Sequence, residues 1–353
     1  MWSINYILQI HQKKEIISAT KNLHIFNPEH DYALAVGDAS YTPPASVRNL
    51  RKNLSLLPAK YADNGDFILT AEPPDLSDST TSELQKMAIS KNLSIVSYDD
   101  IPGLVHKIGN IIPWGWNHYI YKNLLSAGIP PSIMPSLDVI DRVREISHRN
   151  NAILFRKEMA TLNPSYLKAD NSGEVCYSFK DITNYLEKVG HAYFKAPWSS
   201  SGRGIVSSRH IGLKQLEEWC RGIIRKQGCV IAEPEWDKDF DFATEWTLQN
   251  RKASFLGFSV FITSPRGKYH GNVIDSQERL ADLIYHKTLF TSEIIQHQKS
   301  VIEKLWADKY QGPLGIDMLA DTSGKVNVCV EINFRLTMGH VNLPNLNSTR
   351  YYA

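Results

Sequence analysis

Hydrophobic and polar positions follow two different rhythms along this chain. Residues 23–27 (LHIFN) form a short apolar run that breaks into polar residues 28–35 (PEHDYALA), the pattern of a buried parallel strand delivering a loop. Residues 66–70 (DFILT) and 93–97 predict two more strands, separated by a Pro-Pro turn and a helical stretch over 80–91. Residues 116–128 carry apolar positions at helical spacing, with Gly128 as the stop before Ile129-Pro130-Pro131. Alternating strand and helix predicts a parallel, Rossmann-like α/β sheet. This first domain ends near residue 130.

The rhythm then changes. A helix at 137–148 leads to a strand at 152–156 and to an amphipathic helix within 176–189. Strands are predicted at 192–196, 205–208, 229–232, 244–248, 254–262, 314–320 and 326–332, with helices at 213–226 and 292–304. Hairpins in place of βαβ units predict an α+β second half. No internal repeat or low-complexity segment interrupts it.

At 353 residues, 42% hydrophobic and 22% charged, the chain is an ordinary globular protein of two or more domains, which excludes disorder and fibres. The 39 Lys+Arg against 37 Asp+Glu leave a net charge of +2 with no basic block, so a nucleic acid partner is not expected. The first apolar run, residues 6–10, is far below the roughly 18 residues of a membrane span. Lys13 and Lys14 follow that run, where a signal peptide needs its charges in front. A cytoplasmic protein with no membrane partner is expected. Four scattered cysteines without a C-x-x-C pair suit reduced thiols, and the histidines include no H-E-x-x-H, so any metal should be held by oxygen.

Candidate chemistry concentrates in two stretches. In YFKAPWSSSGRGIVSS (193–208) a strand carrying Lys195 enters Ser199, Ser200, Ser201, Gly202, Arg203 and Gly204 before the chain resumes as a strand. Small residues let backbone approach an anion, and free N–H groups and hydroxyls supply donors to phosphate oxygens. A plain Gly/Ser hairpin turn explains this stretch equally well on its own. It is not a Walker A loop, because the lysine precedes the glycines and a strand follows them.

The second stretch is a hairpin. GIDMLAD, a turn at Thr322-Ser323-Gly324-Lys325 and VNVCVEINFR place Asp317 on one strand and Glu331 on the other. Paired across the hairpin, two like charges demand a cation. Asn333 lies two residues beyond Glu331 and shares its face, which adds an amide oxygen to a hard-oxygen site suited to magnesium. Arg335 follows by the same period, a fixed positive charge for a transferring phosphoryl group. The bland alternative is a solvated strand face, but Glu331 and Asn333 sit in an otherwise apolar strand where bare charge is costly.

Lys195 in FKAPWSSSGRGI, the Asp317 strand and the E-I-N-F-R segment occur in the order of the ATP-grasp superfamily, which the chain resembles over most of its length. Members of that family include biotin carboxylase and D-alanine-D-alanine ligase. KNLLSAGIP (122–130) is similar to the closing helix and turn of the family's first domain. The resemblance implies a pre-ATP-grasp domain at 1–136 and two ATP-grasp subdomains at 137–230 and 231–353. It implies ATP and Mg2+ (or Mn2+) as cofactors, with a small-molecule carboxylate and an amine-type acceptor as partners. Lys195 then meets nucleotide phosphates, with Arg156 or Lys157 as a second phosphate cation on the preceding strand. Glu233, Pro234 and Glu235 resemble the hinge whose backbone reads adenine, and Asp241, or alternatively Asp239, matches the ribose acid. Asp317, Glu331 and Asn333 hold metal and Arg335 stabilises the phosphoryl group.

The implied reaction makes an acyl phosphate that an amine attacks, with the Ser/Gly lid excluding water. Substrate is expected between the domains, near His30, Asp31 and the loop carrying Arg266, Lys268 and His270, where a polar surface loop is an equally good reading. A phosphotransferase, or a nucleotide-binding protein without turnover, is the alternative outcome. A dinucleotide oxidoreductase lacks its G-x-G-x-x-G, and a protein kinase fails because His148-Arg149-Asn150 has no catalytic aspartate.

Overall fold

The structure, a computed structural model, describes residues 20–167, 171–199, 204–263 and 269–344. Its described residues fall into two units. One takes the described parts of 1–28, 44–114 and 120–136; the other takes those of 29–43, 115–119 and 137–353.

In the first unit β1 (Lys21–Ile25), β2 (Phe67–Leu69), β3 (Ser94–Val96) and β4 (Ile108–Pro113) form one sheet in the order β3-β2-β1-β4. Every pairing is parallel. Leu23 and Ile68 are fully buried. Helix Ser79–Ser90 crosses over between β2 and β3, capped by Asp78, whose side chain accepts from the Thr81 N–H. Strand β4 has no counterpart in the sequence reading, because its single Gly-Asn interruption hides the apolar run.

The second unit contains two sheets. Strands β5 (Glu174–Cys176), β6 (Ala192–Lys195), β7 (Ile205–Ser207) and β8 (Val230–Pro234) pair antiparallel in the order β5-β8-β6-β7. Helices Phe179–Val189 and Leu213–Gln227 cover them, burying Tyr185, Phe194, Leu216 and Cys220 together. Strands β9 (Lys238–Gln249), β10 (Lys252–Thr263), β11 (Tyr269–Asn272), β12 (Gly312–Asp321) and β13 (Val326–Asn333) make the larger sheet, ordered β11-β10-β9-β12-β13 and antiparallel throughout. Its core centres on Trp246 and Trp306, with Phe155 stacked on Trp306 at 5.7 Å.

Two local expectations are corrected. Residues 152–156 are not a strand: they lie in helix Asn150–Leu162, which buries Ala152, Ile153, Phe155, Arg156 and Met159. That spacing is a helical stripe, and a four-residue apolar run alone does not separate strand from helix. Residues 28–35 are not an open loop either, since helix His30–Val36 begins directly after Glu29. Gly37 ends it at φ 70°, a left-handed conformation that favours glycine, and donates its N–H to the Ala33 carbonyl at 2.8 Å. Among the described residues no helix is long and apolar enough to cross a membrane.

Candidate active site

The site grows from the β12–β13 hairpin. Asp321 accepts the N–H of Gly324 at 2.8 Å to close its turn, and a register irregularity between Asp317 and Leu319 then sets Asp317 opposite Glu331 and Gly315 opposite Asn333. Asn333 donates Nδ2–H to Asp317 Oδ2 at 3.1 Å, so the amide nitrogen faces the acid. Burial, then the charges of Glu331 and Glu245, push the Asp317 carboxyl up to about 8, against the opposing pull of Arg335 and Asn333.

Glu331 is neutralised differently. Arg149, at the start of helix Asn150–Leu162, donates from Nη2 to Glu331 Oε1 at 2.8 Å. The same guanidinium donates to the Ala196 carbonyl at 2.9 Å and bonds the Ser199 hydroxyl. It thus ties the stem of the serine loop to the acidic strand. Its Nε–H is buried and finds no acceptor among the described residues. Sequence reasoning missed Arg149; the available signal was a lone cation heading an apolar helical stripe.

Lys195 and Arg156 converge on Glu233. Lys195 Nζ donates to Glu233 Oε2 at 2.6 Å, and Arg156 Nη2 donates to Oε1 at 2.9 Å, with all three side chains buried. Burial raises the Glu233 carboxyl, but the two cations outweigh it and hold it at about 2. Arg156 also donates to the carbonyls of Ser172, at 2.6 Å from Nη2, and Cys329, at 2.5 Å from Nη1. All three of its nitrogens are engaged by protein, whereas Lys157 is exposed on the other helix face. Neither of the two cations read from the sequence is therefore displayed as Arg149 is.

The remaining candidates divide. Glu235 bonds Ser207 and pairs with Arg209, whose Nε lies at 2.5 Å. Pro234 ends β8 opposite Ala192. Asp241 is held by Lys238 at 2.7 Å and by the Thr263 hydroxyl at 2.5 Å, while Asp239 is exposed. Gly204 accepts the Ala196 N–H at 2.8 Å to close the loop's base. A Cβ on Gly204 would fall 2.4 Å from the Ser199 side chain. Ser200, Ser201, Gly202, Arg203, Arg266 and Lys268 lie outside the described residues. His270 is exposed on β11.

Arg335 meets an unexpected partner. It donates from Nε to Asp31 Oδ1 at 3.0 Å and from Nη2 to Asp31 Oδ2 at 2.8 Å, a two-pronged pair across 304 residues of sequence. Beside it His30 is buried against Gly115, where a Cβ would sit 2.5 Å from His30 Nδ1. Burial lowers His30 to about 4, with Asp31 opposing and Arg335 assisting, so the imidazole is neutral at pH 7. Behind Asp317, the buried Glu245 accepts from Ser259 at 2.8 Å and Thr337 at 2.9 Å and pairs with His340. Glu245 was also missed, although it shows the signal that marked Glu331, an acid inside an apolar strand.

Among the described residues no cluster of three or more His, Cys, Asp and Glu is positioned to hold a metal. The residues present nevertheless fit a hard cation, because Asp317 and Glu331 stand opposite each other across the hairpin and, among the described residues, no cation forms a direct ion pair with Asp317.

The fold has solved relatives. The biotin carboxylase β,γ-ATP complex from Campylobacter jejuni superposes with a TM-score of 0.50 at 13% identity, covering 91% of this chain and 66% of that one. The biotin carboxylase domain dimer of Hydrogenobacter thermophilus 2-oxoglutarate carboxylase, in complex with MgADP, ADP and bicarbonate, gives 0.50 at 14% identity, covering 91% and 65%. The chain has the ATP-grasp fold. A Rossmann-like parallel sheet precedes the two antiparallel ATP-grasp sheets. The chain spans about two thirds of the length of those two carboxylase chains. No protein-family model matches its sequence, and no curated protein does.

Proposed function

We propose that this protein is an ATP- and magnesium-dependent ligase that activates a substrate carboxylate as an acyl phosphate for attack by an amine or similar nucleophile. The observation that carries this reading is the Asp317–Glu331 pair, two facing acids within reach of the fixed charges of Arg149 and Arg335. A carboxyl pushed up to about 8 beside a second acid is the kind of group that gathers at functional sites.

Lys195 and Arg149 bind the nucleotide phosphates in this reading, with Ser199, Gly204 and the loop between them donating to phosphate oxygens. Lys195 has the capacity: Glu233 takes one ammonium N–H and the Val330 carbonyl, at 3.5 Å, a second direction. Arg156 orients Lys195 through Glu233 and touches no ligand. The backbone of 233–235 reads adenine and Asp241 takes the ribose hydroxyls. Asp317, Glu331 and Asn333 would hold Mg2+ or Mn2+, which would supply positive charge for the nucleotide phosphates.

A carboxylate oxygen of the substrate bonds to the γ-phosphorus as the bond to ADP breaks, and Arg335 stabilises the charge on the moving phosphoryl group. The amine then attacks the acyl carbon and phosphate leaves, so no protein nucleophile is required. Phosphate release from ATP, followed across a panel of carboxylic acids with and without amines, tests this. Release that requires both an acid and an amine is expected; release indifferent to every amine would replace the ligase with a phosphotransferase.

A further inference from the structure

Glu331 is held by Arg149 through one oxygen only. Nη2 donates to Oε1 at 2.8 Å, and among the described residues Oε2 accepts no hydrogen bond. The Glu331 side chain is 28% exposed and the Arg149 side chain 4%, so the carboxylate keeps an accessible side while its counter-charge is buried. A dication settling on Oε2 would share one carboxylate charge with a guanidinium on Oε1, and like charges that close repel strongly where water is scarce. Glu331 is thus neutralised before any metal arrives. Asp317, opposite, accepts from the Asn333 amide and pairs with no arginine or lysine among the described residues.

The other donors of Arg149 are divided unevenly. Nη1 donates to the Ala196 carbonyl at 2.9 Å and bonds the Ser199 hydroxyl, and Nη2 also reaches the Ser199 carbonyl at 3.3 Å. Nε–H is buried and has no acceptor among the described residues. Nε–H and Nη2 form the edge on which a guanidinium takes an anion with two prongs, and Glu331 serves half of it. A buried donor left without an acceptor is costly. A phosphate has several acceptor oxygens and more charge than one carboxylate. Taking that edge, it would satisfy Nε–H and displace Glu331 from Nη2, while Nη1 stays on Ala196 and Ser199.

We propose that Arg149 is an exchangeable counter-ion, which neutralises Glu331 until a nucleotide arrives and then passes to its phosphates, so that Glu331 becomes a metal ligand as the nucleotide binds. This rests on the nucleotide and cation sites proposed above. Arg149 and the divalent cation compete for Glu331, and phosphate resolves the competition. Nucleotide and cation then strengthen each other by the same factor, because coupling between two ligands is reciprocal.

Mn2+ alone, followed in the full chain through the EPR signal of the unbound ion, tests the competition. Arg149→Gln removes the charge and keeps a polar side chain; it is expected to bind Mn2+ about tenfold more tightly than the unaltered protein, where a merely structural arginine would leave that affinity unchanged or lower it. Calorimetric titration with ATP in EDTA tests the transfer. Glu331→Gln is expected to tighten metal-free ATP binding by about fivefold, because Arg149 then leaves no carboxylate behind, and the gain is expected to vanish when Arg149→Gln is present as well. A gain that survives in the double variant reports only the field of one acid and overturns the exchange. Mn2+ affinity that fails to rise in Arg149→Gln overturns it too. Should Arg149→Gln not fold, Asp317→Asn takes its place as the control, since it removes an acid that holds no arginine; an equal gain in ATP affinity from Asp317→Asn overturns the exchange, and a gain confined to Glu331→Gln supports it. Absence of ATP binding with and without magnesium overturns the transfer together with the ATP reading, whereas ATP binding without these changes of sign overturns the exchange alone.

Discussion

An Asp317→Asn protein is expected to lose ATP turnover by about a thousandfold while becoming more stable above neutral pH in the absence of metal. The activity loss follows from removing half of the acidic pair, since charge stabilisation by a bound cation supplies several kcal/mol to such a transition state. The stability gain follows from linkage. The Asp317 carboxyl, raised to about 8 in the folded protein, binds its proton more tightly there than in the unfolded chain. Its favourable contribution is therefore complete below about pH 4 and is lost as pH rises to about 8, a swing on the order of a few kcal/mol. Asparagine removes that slope and still offers an oxygen to Asn333. Glu331→Gln behaves differently, because it leaves Arg149, whose side chain is 4% exposed, without its carboxylate. That variant is expected to lose turnover equally and to lose about 1–3 kcal/mol of stability as well. Melting temperatures between pH 5 and 9 with chelator, beside ATP consumption at pH 7.5, check both; normal magnesium-dependent turnover in either variant would sink the assignment.

Glu233→Ala is expected to be the most damaging single substitution to the fold, at about 3–5 kcal/mol. It strands two buried cations at once, Lys195 and Arg156, which lie at 2.6 and 2.9 Å from its oxygens. Arg156 keeps its carbonyl acceptors at Ser172 and Cys329, but among the described residues Lys195 keeps only the distant Val330 carbonyl. The pH signature has the opposite sign to that of Asp317. Glu233, held at about 2, contributes stability above its unfolded value of about 4.5, and that stability is lost as pH falls through 2. Urea denaturation at pH 7 measures the loss, and a cost below about 1 kcal/mol would mean that the triad is not what holds β8 to β13.

The sequence displayed the parts whose causes are local. A Thr-Ser-Gly-Lys turn between two apolar strands was enough to put Asp317 and Glu331 on facing strands, but their direct pairing also needs the irregularity between Asp317 and Leu319, which nothing in the local sequence announces. Lys195 was legible as a cation on a buried strand entering a loop of small residues. What stayed hidden depends on contacts far apart in sequence. Nothing near Asp31 announces Arg335, and nothing near Arg149 announces Glu331. Arg156 was misplaced because AILF satisfies either period; only Met159, a full turn later, distinguishes the helix. Once on that helix, Arg156 points into the Glu233 carboxylate and away from the role first expected of it.

The most direct test of the central claim, an ATP site completed by a cation at Asp317 and Glu331, is a thermal-shift titration with ATP, ADP and GTP, each with and without magnesium. Adenine nucleotides with magnesium are expected to raise the melting temperature, by a stabilisation of about 2.7 kcal/mol at a hundredfold excess over Kd. The shift should shrink without magnesium and shrink again in Arg149→Ala. No shift with any nucleotide, in a protein shown to be folded, would contradict the account.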